Sequence, residues 1–443
     1  MLAITKAQFR RKRLSLVAAV IAMLAVCATA SLWAAREWQF HRHLRAGQLA
    51  IKRFAADEAV VELTAAETLK PLSAEVQYLL GVADRKARRL DDCPTYLDKA
   101  LELGWPADEI RFQKLLLAFQ AGDHRAEPVI RRITSLPMAD DMAEDAYEAL
   151  TIGYLSEYRM VEAGRATDDW LRLRPRSVRA MLLRAEIFGV TERSKEQLKQ
   201  YEQVLAIEPD SYAAHLGMAR NLLEAHDVER ALEEYRWCSE RSTDDFSPPL
   251  GMAACYQHQG ELEKAADVLR ELLKRCLPHD QRAQAAGELG KLLRQTGALA
   301  EAISLLSESV ELNPYDEQIE YTLAMSLVKI GKLDEAQRHH NHSKELEKLK
   351  LQVHDIKTVI FNQPDDAQPR YEAGLLLAKL GKPKIAAAMM LGALRCDPRH
   401  SGARAELAKY YHEIGRDDLA REYEASTVEV AGAAAAGERG GGF

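Results

Sequence analysis

The chain has 443 residues, of which 47% are hydrophobic and 29% charged, with a formal net charge of −7. It is too long for one compact core and too apolar for a disordered chain. The acidic balance argues against nucleic acid as a partner, because phosphate binding needs a concentrated basic surface.

Residues 1–13 form a basic tail with Lys6, Arg10, Arg11, Lys12 and Arg13. From Leu14 to Ala35 no charge occurs. At 1.5 Å per residue that run reaches about 33 Å, enough to cross the hydrocarbon core. Trp33 and Trp38 stand where interfacial anchors are useful. One N-terminal transmembrane helix over 14–35 is the first expectation. The rival is a signal peptide cleaved near "ATA", Ala28 to Ala30, which would leave a secreted or periplasmic chain. Five basic residues precede the run and five follow it (Arg36, Arg42, Arg45, Lys52, Arg53). The first set abuts the membrane undiluted by acids, so the N-terminus is expected in the cytoplasm and the long domain outside it.

Beyond the run, Ala, Leu, Glu, Arg and Lys dominate, which favours helix. Residues 36–210 read as divergent helical repeats, and 211–430 as regular ones. Six turn positions recur in the regular part: His226, Gly260, Gly297, Gly331, Gly381 and Gly415. Their intervals are 34, 37, 34, 50 and 34 residues. Five residues after each stands Ala231, Ala265, Ala302, Ala336, Ala386 or Ala420, and seven before each stands Ala219, Ala253, Gly290, Ala324, Gly374 or Ala408. Leu222, Tyr256, Leu293, Leu327, Leu377 and Tyr411 follow the small residue by three. Two antiparallel helices approach closely only where side chains are small at the crossing, with larger residues filling the space around it. Gly ends the first helix because it adopts the left-handed conformation cheaply.

A 34-residue helix-turn-helix unit with this order, as in "YTLAMSLVKIGKLDEA" and "AELAKYYHEIGRDDLA", resembles the tetratricopeptide repeat family. The resemblance is to a membrane-anchored member of bacterial type. It implies an all-α fold, a right-handed α-solenoid of antiparallel helix pairs with a concave inner surface. Upstream, "YLLGVADRKARRLDDC" keeps Gly81 but has Cys93 in the Ala position, and "ALTIGYLSEYRMVEAG" keeps Ala163 but lacks the turn Gly. The whole chain should hold about ten or eleven pairs. The 50-residue interval carries an inserted helix near 343–361, where Leu346, Leu349, Val353, Ile356 and Ile360 make one apolar stripe. The plainer reading of that stripe is packing within the solenoid, and the sharper one is a docking or dimerisation seam. Residues 431–443 read as a flexible tail.

Catalytic chemistry has little room. GxxxxGK[ST], GxGxxG, GxSxG and HExxH do not occur, so no enzymatic activity, cofactor or metal is expected. Glu335, His339 and His342 share a helix face at metal-like spacing, with His340 beside them, but a solvated face accounts for them more simply. The six Cys include no CxxC and read as small hydrophobes, with a disulfide left open in an oxidising compartment. The family's geometry places Arg220, Lys291, Arg294, Tyr321, Lys329, Tyr371, Lys409 and His412 on the concave face. That set is basic and aromatic in an acidic chain, which suits an extended acidic or aromatic-bearing peptide. The Lys and Asn pattern of the family's clamp for chaperone tails is missing. The leading expectation is a membrane-anchored scaffold for protein or peptide partners. Alternatives are an accessory subunit of a membrane enzyme or secretion complex, and a metal- or small-ligand-dependent binding protein.

Overall fold

The structure, a computed structural model, describes residues 23, 29–53, 55–123, 125–135, 140–363, 365–417 and 419–424. The basic tail 1–13, the tail 431–443 and most of the 14–35 run lie outside them. Residues 29–35 open the first described helix. Among the described residues no helix is long and apolar enough to cross a membrane.

All regular structure in the described residues is helical, and the chain divides into two compact units, Met1–Arg132 and Ile133–Phe443. The first holds α1 (29–52), α2 (Ala56–Leu69), α3 (Ala74–Lys86), α4 (Cys93–Glu102) and α5 (Ala107–Gln120), and α6 (Ala126–Thr134) spans the division. The second holds α7 (Asp140–Ser156), α8 (Met160–Leu173), α9 (Val178–Val190), α10 (Ser194–Ile207), α11 (Tyr212–Glu224), α12 (Val228–Arg241), α13 (Ser247–His258) and α14 (Leu262–Leu273). It continues with α15 (His279–Thr296), α16 (Leu299–Leu312), α17 (Glu317–Lys329), α18 (Leu333–Asn362), α19 (Ala367–Lys379), α20 (Pro383–Cys396), α21 (Ser401–Glu413) and α22 (417–424). Phe40, Leu44, Leu63, Val76 and Leu80 are buried together in the first unit. In the second, each helix packs on the next, so the core is continuous from pair to pair.

The local chemistry explains this regularity. Asp316 accepts from the Gln318 and Ile319 amides at 3.0 and 3.2 Å, and Asp366 from the Gln368 amide at 3.0 Å, capping the starts of α17 and α19. The six turn residues read from the repeat all have positive φ, from 63° at His226 to 91° at Gly297. The residue after each turn donates its amide to the carbonyl of the large residue one turn back. Glu261 reaches Tyr256 at 2.9 Å, Lys332 reaches Leu327 at 3.1 Å and Arg416 reaches Tyr411 at 2.8 Å. Ala219, Ala231, Ala265, Ala302 and Ala324 are all fully buried at the crossings.

The helix expected as a separate insertion near 343–361 is instead the second half of α18, which runs unbroken for 30 residues. Neither Gly nor Pro occurs between Lys332 and Gln363 to end it. Its stripe is covered from within the chain, because Leu346, Val353 and Ile360 are buried against Ala373, Leu377, Ala386 and Met389.

Candidate functional site

The first helices of successive pairs, α9, α11, α13 and α15, line two adjoining hollows. One, of about 450 Å³, lies across α11, α13 and α15. Leu223, Tyr235, Phe246, Leu250, Leu269 and Leu292 line it with apolar surface, and Arg220, Ser247, Gln257, Gln284 and Glu288 supply polar atoms. The other, of about 420 Å³, lies across α9 and α11 with Arg179, Leu182, Glu186, Val190, Tyr201 and Glu224. Arg220 borders both.

Two tyrosines decide how close the helices come. A Cβ on Gly217 would lie 2.4 Å from the Tyr201 ring, and one on Gly251 would lie 2.2 Å from the Tyr235 ring. Each Tyr sits on the second helix of one pair and meets the Gly on the first helix of the next. Burial pushes the Tyr235 hydroxyl up to about 12, opposed by the positive charge of Arg220, and burial raises Tyr201 likewise. Both remain neutral hydroxyls at ordinary pH.

The charges around the hollows are unequal in freedom. Arg179 is committed to the fully buried Glu148 through Nε at 2.7 Å, and Lys291 reaches Glu288 at 2.6 Å. Arg220 is exposed and makes no hydrogen bond or ion pair among the described residues. Arg294 leaves its buried Nε unpartnered. An apolar floor beside a guanidinium without a bonded partner can hold an apolar side chain next to a carboxylate.

The eight residues read from the sequence do not share one cavity. Arg220 borders the two hollows, with Lys291 and Arg294 beside them on α15. Tyr321 and Lys329 are exposed on α17. Tyr371 is half-buried, with its ring 4.6 Å from that of His400 and against Gly402. Lys409 and His412 border a separate hollow of about 460 Å³ with Arg404 and Tyr423. His412 contacts Asp417 at 2.7 Å and Glu424 at 3.1 Å, which raises its pKa.

Sequence reading missed Leu250, Phe246, Gln257 and Gln284. Leu250 and Gln257 occupy the same repeat positions as Tyr321 and Arg294, so the register could have found them.

The histidine face on α18 is not assembled as a ligand set. His339 and His342 both turn Nδ1 to the buried Glu320, at 2.6 and 2.9 Å, while Glu335 pairs with Lys332 at 3.0 Å. Among the described residues no group of three or more His, Cys, Asp or Glu is placed to hold a metal ion. Cys93, Cys238 and Cys255 are buried free thiols, and burial pushes Cys238 up to about 12.

The tetratricopeptide repeat family matches residues 246–314 and again residues 362–438. These two segments are tetratricopeptide repeats. Repeats of this kind build scaffolds for protein–protein interaction and take protein or peptide partners. The chain is 24% identical over 160 residues to the BBSome complex member BBS4 of Bos taurus, covering 36% of this chain and 30% of that protein. It therefore spans less than a third of that curated relative. Among solved structures it is similar to YrrB, titled a TPR protein with an unusual peptide-binding site. There the identity is 21% over 46% of this chain and 95% of that one, with a TM-score of 0.29. It is also similar to the APC/C hetero-tetramer Cut9–Hcn1, with 14% identity over 88% of this chain and 81% of that one and a TM-score of 0.35.

Proposed function

We propose that this chain is a non-catalytic scaffold that holds an extended segment of a partner protein across α9–α15. The partner presents a bulky apolar side chain to the 450 Å³ hollow and an acidic group to Arg220. The observation that carries this reading is Arg220 itself, a guanidinium with no ion partner among the described residues at the junction of two hollows. Around the 450 Å³ hollow Arg220, Lys291 and Arg294 stand against one acid, Glu288, whereas Glu186 and Glu224 line the neighbouring hollow, so the acidic group is placed on the α13–α15 side of Arg220. The scaffold is tethered to a membrane by the uncharged Leu14 to Ala35 run, with its repeats outside the cytoplasm. The length of that run and the undiluted basic tail before it support this part.

The test is selection from a displayed peptide library, followed by titration of the selected peptides. The reading expects sequences with an acidic residue close to a large apolar one, and at least about a tenfold loss of affinity with Arg220→Glu. Selected peptides without acidic residues, or binding untouched by Arg220→Glu in a folded protein, would reject the groove as the binding face. For the tether, a full-length mature chain that resists carbonate extraction is expected, and a soluble chain cleaved near Ser31 would refute it.

A further inference from the structure

The start of the second unit touches a pair far along the chain. The turn between α7 and α8 reaches the edge formed by the α18–α19 connection, the start of α19 and the end of α20. Arg370 of α19, 1% exposed, donates from Nη1 to the Glu157 carbonyl at 2.7 Å. Arg395 of α20 brings Nε to 3.7 Å from the Glu157 carboxylate, which is itself buried. Tyr158 packs against the buried cluster that holds Leu346, Val353, Ile360, Leu377 and Met389, with Lys357 Nζ 5.4 Å from its ring centroid.

Three departures from the repeat pattern meet at this one contact. First, Tyr158 occupies the turn position where the five pairs from Gly260 to Gly415 carry Gly and where Glu192 and His226 also stand, and it is the bulkiest of these, with φ +59°. A bulky side chain is disfavoured there, so the turn taken alone would be better served by Gly. Second, the extra residues of the 50-residue interval lengthen α18, and the added length is what carries Val353, Ile360 and Lys357 to the cluster and ring at Tyr158. Third, α20 has Gly392 where Arg370 passes, and a Cβ there would lie 3.4 Å from both Cδ and Nη1 of that side chain. The contact is one turn against one edge, built of charges and a ring.

We propose that the α7–α8 turn is a latch that closes the second unit on itself. Glu157→Lys and Tyr158→Gly in the full chain, compared with wild type by hydrogen exchange, test the latch. Tyr158→Gly suits the backbone of the turn, so a purely local turn would keep or gain protection. A latch instead loses protection in residues 349–360 and 367–372 by about tenfold or more in both variants. Loss confined to 154–160, or no loss, overturns the latch.

Discussion

Gly251→Ala is the most searching single substitution in the groove. The added Cβ would lie 2.2 Å from Tyr235 Cζ and 2.4 Å from Cε1, whereas ordinary contact begins at 3.4 Å. The ring has to retreat by more than 1 Å. Tyr235 is 4% exposed and packed on all sides except toward the hollow it lines, so it can swing only into that space. Overpacking of this kind costs roughly 1–3 kcal/mol, and the helix preference of Ala over Gly returns roughly 0.5–1 kcal/mol. The net expectation is a loss of about 0–2.5 kcal/mol, centred near 1 kcal/mol, together with a smaller hollow. A repeat array need not unfold in one step, so the assay is native-state hydrogen exchange of α12 and α13 in the full chain. Tyr235→Leu should relieve the clash, giving a favourable coupling of about 1 kcal/mol in the double variant. More protection of α12 and α13 in Gly251→Ala, as helix preference alone would give, refutes the reasoning.

Three other expectations follow from particular contacts. Ala324→Leu overpacks the crossing with Ala336, costing roughly 1–3 kcal/mol and loosening α15–α16 and α19–α20 before more distant pairs; an unchanged thermal midpoint and exchange pattern would refute it. Arg220→Ala should slow association of a selected acidic peptide and flatten its salt dependence while leaving circular dichroism unchanged, as stopped-flow kinetics at two salt concentrations would show. Hydrogen bonds to Asp417 and then Glu424 raise the pKa of His412, so its contribution is complete below the unfolded value of 6.5 and is lost as pH rises through the higher folded value. Intrinsic-rate-corrected protection of residues 419–424 should therefore fall from acidic to mildly basic buffer, and His412→Gln should remove that dependence.

The turn register was legible because its cause is local. Gly260, Gly297 and Gly331 are set by backbone conformation, and Ala324 with Ala336 by a crossing between helices adjacent in sequence. The match of Gly251 to Tyr235 belongs to the join between pairs, and Gly217 with Tyr201 makes the same match 34 residues earlier, so it too keeps the repeat. The groove was half legible. Charged and aromatic residues such as Arg220 and Tyr321 stand out on a helix, whereas Phe246 and Leu250 read as core although they line the hollow. The stripe from Leu346 to Ile360 was visible, but its cover was not. That cover comes from α19 and α20 and from Tyr158, and nothing in the spacing of the stripe points to a residue so far back. The 213-residue separation between Glu157 and Arg370 marks the limit, since a contact of that range leaves no periodic trace.

The central claim is that partners are held across α9–α15, and site-specific photo-crosslinking in native membranes tests it most directly. A photoreactive residue replaces Ala254 in the groove, and in a second protein it replaces Glu263, which is exposed on α14. Discrete protein adducts from position 254, absent from position 263 and lost with Arg220→Glu, are predicted. Adducts from 263 alone, or adducts from 254 that survive Arg220→Glu unchanged, would contradict it.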